Sequence, residues 1–553
     1  MVFKEIEVDI PHKKRIQKST GYVYEILERN NKETGKDKVV LVGRLSVNGL
    51  LNPNENYFAL HPDKGNIPEN RKEEQGEFSS TLHIGQYVLF KKVMDDIGLS
   101  KVLDESMKGY KDFVFSLVSY YLNERESASQ LYKYYAYNHF TGLNYVPSES
   151  TISNLLNKKL NHDVIVNFLS KWMEYNLKNK GNIRIDIDFD STNHNASSKA
   201  LSLNEYGKAK IDEGLPQYNI AYFVNRTTGL PIFYDIYYGS IIDMNHCKTA
   251  IDKVKTFEPN ALISFVLDRG YFSKSNIEYI NDNKYEFTCM GKTNLCFKEY
   301  IDAYRQEVIC KSINYIDDKL FGVKFKGKAF ETLEKEFNIY LFYNELDSIE
   351  SFVNKQKQVE YVSSFLPGKK DYKHILESTY GKYLNILYGE DDIVIDASIN
   401  HDALDEYKKE CGYFWIVSNY DMPIKEIYNL YRERDIIEKT IKNTKTGSDL
   451  NKSFAQSDEV VESKTLLGFI CATIRSYVIL KMAPYKLQYS NETSQTLIKE
   501  LDKIQVEKIS GTYISRYALT SRQRQILSLF GLKSNDVFSA IRDVNETMKI
   551  SGC

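Results

Sequence analysis

From Ile84 to Lys178 apolar residues recur at three- and four-residue spacing, as in Val88, Leu89, Val93 and Ile97, then Val114, Leu117, Val118 and Tyr121. That period puts them on one face of a helix and predicts several amphipathic helices over 78–180. Ahead of them, the β-rich runs Tyr22–Leu27 and Val39–Leu45 flank the polar, Gly-containing NNKETGKDK, the pattern of a hairpin, with Lys13, Lys14, Arg15 and Lys18 preceding it. The polar stretch Asn66–Glu77 has linker composition and sets a boundary after residue 77. Within the helical region, Pro147-Ser148 followed by ESTISNLLNKKL predicts a capped helix. After SASQLYKYYAYNH it is either the second half of a DNA-reading helix-turn-helix or plain bundle packing.

After Gly181 the period shortens to two. Strands are expected at NIRIDIDFD, QYNIAYFVN and IFYDIYYG, followed by a helix from Asp243 to Phe257, the apolar strand LISFVL, a helix from Lys274 and a strand at YEFTCMG. Three strands, a helix and a fourth strand is the element order of a ribonuclease H-like α/β core, which is the expected fold class. Residues 181–294 form its first part. Residues 295–410 read as an inserted β-rich subdomain with one long helix around SIESFVNKQKQVEYVSSF. Residues 411–485 return to the core through GYFWIVSN, whose Trp415 reads as packing, and through a helix starting at Asp421-Met422-Pro423. The last segment, 486–553, is expected to be helical.

Composition narrows the function classes. With 553 residues, 42% hydrophobic and 27% charged, the chain is an ordinary globular protein of roughly two to four domains. Its longest apolar run, Thr465–Ile474, ends at Arg475 and is shorter than the roughly 18 to 20 residues of a bilayer crossing, so no membrane association is expected. The N-terminal residues lack the apolar core of a signal peptide. Seven cysteines without a C-x-x-C pair encode neither a disulfide framework nor a zinc knuckle, which fits a reducing cytoplasm. The net charge of −2 leaves any nucleic-acid binding to local basic surfaces.

Candidate chemistry rests on acids. On the first strand Asp186, Asp188 and Asp190 share a face, and three acids there repel unless solvent or a cation compensates. Asp186 reads as solvated. Asp190 is expected at the strand end before Ser191-Thr192-Asn193, with Asp188 the alternative on the same face. Asp268 follows LISFVL beside Arg269-Gly270, where open α/β sheets place ligands. On the helix after Pro423, Tyr431, Arg434, Glu438 and Lys445 fall within roughly 60° of one another at about 100° per residue, one stripe that can face a common site or form a solvated charged face. Two-metal phosphoryl transfer unites such residues, since Mg²⁺ or Mn²⁺ prefers carboxylate oxygens.

The spacing of Tyr431, Arg434, Glu438 and Lys445 resembles the Y-(2)-R-(3)-E-(6)-K signature of prokaryotic insertion-sequence transposases of the DDE class. Asp190-Ser191-Thr192 and Asp268 to Phe272 resemble that family's first two acidic elements, and Leu230-Pro231, Gly239 and Asp243 its intervening stretch. The resemblance runs from the hairpin to about residue 485. It implies Asp190, Asp268 and Glu438 as catalytic ligands of two divalent metal ions, and Tyr431, Arg434 and Lys445 as DNA contacts. It also implies cleavage at element ends and strand transfer into target DNA, a cut-and-paste route and a homodimer on DNA. A non-transposing nuclease of the same fold, or a domesticated DNA-binding protein, is the alternative.

Overall fold

The computed structural model describes residues 3, 6–29, 37–64, 78–124, 128–177, 185–207, 214–257, 262–317, 319–370, 380–434, 437–438, 452–453, 455–486 and 493–549. Contacts divide the chain into two compact units, Met1–Ser79 and Ser80–Cys553.

In the first unit β1 (Lys14–Gln17), β2 (Tyr22–Glu28), β3 (Lys38–Leu45) and β4 (Leu51–Pro53) form an antiparallel sheet in sequence order. The expected hairpin is the β2/β3 pair. Val23, Val42 and Leu51 bury one face against Phe3, Tyr57 and Phe58, a small core of its own.

The second unit opens with β5 (Thr81–His83) and the helices Gly85–Asp96, Leu99–Ser106, Lys111–Glu124, Ser129–Asn138, Glu149–Asn154 and His162–Leu177. Their apolar faces point inward, and Ser148 caps the fifth by accepting from the Thr151 amide. Next come β6 (Ile185–Ala196), β7 (Gln217–Asn225), β8 (Leu230–Tyr238), β9 (Ile263–Leu267), β10 (Glu286–Met290), β11 (Tyr315–Asp317), β12 (Leu320–Lys328), β13 (Glu336–Asn344), β14 (Leu384–Tyr388), β15 (Val394–Ile399), β16 (Tyr413–Ser418) and β17 (Lys452–Ser453). All but β14 and β15 join one sheet in the order β11-β12-β13-β16-β10-β9-β6-β7-β8, with β17 on β6. Strand β9 runs parallel to both β6 and β10, and β7 runs antiparallel to both β6 and β8. The fold is mixed α/β.

Four sequence expectations change. β6 does not end at Asp190 but continues to Ala196, because β7 pairs with it from Ile187 through Asn195. The polar run STNHNA hid this half of the strand; Asn193 is buried and its amide nitrogen donates to Gln217 Oε1 (2.5 Å). Residues 295–410 are not a separate β-rich insertion. A helix, Leu295–Cys310, leads into β11 to β13, which extend the main sheet through the β13/β16 pair, and only β14 and β15 form their own small core with helices Glu345–Phe365 and His401–Glu410. The helix after Pro423 spans Ile424–Arg432 and stops at Glu433. The C-terminal segment is not all helical: between helices Ser494–Asp502 and Ser521–Leu529 lies the hairpin β18 (Gln505–Ile509) and β19 (Thr512–Ser515), and β18 pairs with β5.

Helix Asp458–Lys486 carries a segment, Asp458–Pro484, long and apolar enough to cross a bilayer, and the most apolar window of that segment is 72% buried inside the protein. It packs against helix Lys111–Glu124 and β8, and so joins the helical region to the sheet.

Candidate active site

The ladder between β6 and β9 fixes the two aspartates. Its last pair is Phe189 with Leu267, so Asp190 and Asp268 are the next residues in register on adjacent parallel strands, about 5 Å apart by strand spacing. Beyond that point β9 turns away from β6 through Arg269–Tyr271. Both carboxylates are partly exposed, 21% for Asp190 and 42% for Asp268. Asp190 Oδ1 accepts from the Ser191 amide (2.8 Å), and Ser191 Oγ meets the Tyr271 hydroxyl (2.9 Å).

Arg434 joins the two acids. Its Nη1 donates to Asp268 Oδ1 at 2.6 Å, and its Nη2 lies 3.7 Å from Asp190 Oδ2. The Tyr431 hydroxyl donates to the same Asp268 oxygen (3.3 Å) and accepts from Arg434 Nη1 (3.1 Å). Burial pushes the Asp268 carboxyl upward, but the charge and hydrogen bond of Arg434, the Arg269 amide and the Tyr431 hydroxyl outweigh it and hold the group below its ordinary range. Arg434 sits at a tight turn rather than in a continuous helix, its amide bonded to Tyr431 O and the Ile437 amide bonded to Arg434 O.

The remaining candidates are placed differently. Glu438 is exposed in the short helical pair 437–438, and among the described residues no hydrogen bond or ion pair joins it to either aspartate. Lys445 lies outside the described residues. The single helical stripe expected for Tyr431, Arg434 and Glu438 is interrupted at Glu433, so only the first two meet Asp268.

Two features escaped the sequence reading. Asp188, two residues back from Asp190 on the same face, is fully buried and 3.4 Å from Arg226 Nη1. Burial pushes its carboxyl up to about 7 against the opposing charges of Arg226 and Arg434. Among the described residues, none of the Asp188 carboxylate oxygens or Arg226 guanidinium nitrogens has a hydrogen-bond partner. Arg226 follows β7 in the turn RTTG, and only the tertiary fold brings it under β6. The second feature is basic: Lys292 donates to Gly270 O (3.2 Å) and Arg269 to Thr293 Oγ1 (3.4 Å), so a half-buried and an exposed cation flank the turn after Asp268.

The sequence profile of the family described as "Transposase DDE domain" matches residues 182–474, more than half of the chain and the whole stretch from β6 to Arg434. The chain belongs to the DDE transposases. As such it is a DNA transposase, and enzymes of this family use divalent metal ions. Among solved structures, the piggyBac transposase synaptic complex with hairpin DNA aligns over 84% of this transposase and 82% of that chain, at 8% identity and a TM-score of 0.36. The Drosophila P element transposase strand transfer complex aligns over 78% and 91%, at 12% identity and a TM-score of 0.18. No curated protein matches the sequence.

Proposed function

We propose that this transposase cuts DNA at the ends of an insertion sequence and joins the freed ends to target DNA by a cut-and-paste route, with Asp190, Asp268 and Glu438 as its acidic triad. The observation that carries the reading is the convergence of Asp190 and Asp268 on the Arg434 guanidinium at the point where β9 leaves β6. The strand order β8-β7-β6-β9-β10, with antiparallel pairs on one side of β6 and parallel pairs on the other, supports a ribonuclease H-like core.

The donor set fits divalent cations: two partly exposed carboxylates, adjacent in register, whose charge a guanidinium already compensates. Asp190 and Asp268 would hold two Mg²⁺ or Mn²⁺ ions, with Glu438, whose exposed side chain is engaged by no described residue, as the third acid. When bound, such ions supply Lewis-acid stabilisation of an in-line phosphoryl transfer. Asp188 is the weaker ligand candidate, since it is fully buried against Arg226. Arg434 and Tyr431 orient Asp268 and stand beside the path of the DNA backbone, where a guanidinium can pass from carboxylate to phosphate. Lys445 matches the basic position of the signature. Lys292 and Arg269 add positive charge at the mouth of the site. Pairing two element ends calls for a homodimer on DNA, and a reducing cytoplasm is the proposed setting.

The test incubates the protein with DNA carrying the flanking element ends, with Mg²⁺ or Mn²⁺ and with chelator, comparing wild type with Asp268→Asn and Glu438→Ala. Metal-dependent nicking and joining that vanish in both variants are expected. Cleavage without joining would instead make the protein a nuclease, and an active Glu438→Ala enzyme would remove that residue from the triad.

A further inference from the structure

The sheet of the first unit has a second face that its core does not use. Val23 is buried with Val42 and Leu51 beneath Tyr57 and Phe58 of helix Glu55–Leu60, so its strand neighbours Tyr22 and Tyr24 point to the opposite side. Pairing fixes what stands beside them. Gln17, Tyr22 and Arg44 form one row across β1, β2 and β3, and Arg15, Tyr24 and Leu41 form the next. Arg15, Gln17, Tyr22 and Arg44 are exposed, while Tyr24 and Leu41 are half-buried between them.

Charge is sorted between the two faces. On the helix side Glu25 pairs with His61 (2.8 Å), and burial together with the charges of Asp9, Glu25 and Asp63 raises the Tyr57 hydroxyl. On the other side, among the described residues, no carboxylate pairs with Arg15 or Arg44. Arg44 donates Nε to the Thr20 carbonyl (3.0 Å), which fixes its stem at the β1/β2 turn and leaves its terminal nitrogens for a ligand. Lys13, whose carbonyl accepts from the Ile26 amide (2.8 Å), continues the alternation of Arg15 and Gln17, and exposed Lys18 follows β1 at its other end. The uncompensated guanidiniums call for an anionic partner, and the dimensions suit duplex DNA. Three strands about 4.8 Å apart span about 10 Å, comparable to the roughly 12 Å width of the major groove. An arginine can take both acceptors of a guanine edge and a glutamine the acceptor and donor of an adenine edge. Lysine ammonium groups and tyrosine hydroxyls suit the phosphates on either side.

We propose that this face of the N-terminal sheet reads the major groove of duplex DNA at the element ends, with Arg15, Gln17 and Arg44 on base edges and Lys13 and Lys18 on phosphates. This role rests on the proposed action at element ends. It is separate from the acidic triad, which belongs to the second unit.

The experiment measures binding of the full chain, in chelator so that no strand is cut, to a duplex of the element's end and to a shuffled duplex of the same composition. Wild type is compared with Arg15→Lys/Arg44→Lys, Arg15→Ala/Arg44→Ala and Lys14→Ala/Lys64→Ala, the last pair lying opposite Glu25 in register and just after the helix. Wild type should prefer the end duplex, and methylation of its guanines at N7 should remove the preference. The lysine replacements keep the charge without the bidentate fork. Their preference should fall by at least about 10-fold while affinity for the shuffled duplex holds. The alanine replacements should also flatten the salt dependence, and the Lys14/Lys64 variant should keep the preference. A photo-reactive phenylalanine analogue in place of Tyr22 should crosslink to the end duplex; its failure to do so would overturn the role even if an arginine variant did not fold. A wild type without preference, arginine variants that retain it, or equal losses on both duplexes in the lysine variant would overturn it as well. Metal-dependent nicking of the same end duplex by wild type decides the action at element ends separately.

Discussion

Arg434 carries opposite burdens: its guanidinium is largely buried, which disfavours its charge, yet two carboxylates and a phenol hydroxyl surround it. Replacing it with Gln leaves Asp268 with the burial and without the counter-charge, so the Asp268 carboxyl must rise. We expect Arg434→Gln to lower DNA cleavage by about 10- to 100-fold, as loss of a residue that orients ligands does. The acid limb of the pH–rate profile should also move to higher pH; an unmoved limb would mean that Arg434 does not set this carboxyl. Asp188 has the reverse sign. Its carboxyl rises from an ordinary 3.8 to about 7 on folding, so the protein binds a proton that the unfolded chain releases. That contribution is complete below about 4 and is lost as pH climbs toward about 7. The difference in Tm between Asp188→Asn and wild type should therefore shift in favour of the variant between pH 4 and 7 and level off above; a pH-independent difference would reject the assignment. The Tyr431, Arg434, Glu438 and Lys445 spacing was legible in the sequence, as was the pairing of Asp190 with Asp268. The turn at Glu433 was not, because helical periodicity carries no information about a three-residue backbone bond at Arg434. Nor was the Asp188 and Arg226 pair, which exists only once β7 has folded back along β6.

Among elements, strands were read more surely than their partners. FGVKFKG and FNIYLFY were recognisable from their β-formers, but their membership in the main sheet depends on pairing with GYFWIVSN about seventy residues later, which no local pattern encodes. The β18/β19 hairpin had a usable signal: Ser510-Gly511 between QVEKI and TYIS, both with positive φ (49° and 83°), is the two-residue turn that the twist of a hairpin favours. Close approach is a second element-scale constraint. A Cβ on Gly85 would sit 2.0 Å from the Leu501 carbonyl oxygen, so helix Gly85–Asp96 can start against helix Ser494–Asp502 only without a side chain there. Gly85→Ala is expected to cost about 1–3 kcal/mol in chemical denaturation. A neutral result would show that the two helices can separate freely.

For the whole molecule, the division at Ser79 matters because the aspartates and Arg434 belong to the second unit. A chain beginning at Ser80 is expected to fold and to unfold cooperatively by calorimetry, with the main transition near that of the full chain; an insoluble product would show that the two cores depend on each other. The mixed α/β class was evident from the change of hydrophobic period at residue 181. The near-neutral charge of −2 gives no hint of DNA, so Lys292→Ala is expected to weaken DNA binding similarly across sequences and to flatten its salt dependence.

The pairing of β5 with β18 has a further consequence, for the moment of synthesis. His83 is among the first residues of its unit to leave the ribosome, and Gln505, which meets it in the sheet and by a 3.0 Å side-chain contact, follows 422 residues later. At about 5–20 residues per second the strand waits roughly 20–80 s for its partner. A nascent or prematurely terminated chain therefore carries the aspartates without the closing strand, and this seam of the unit is sewn only after the catalytic sheet has been made.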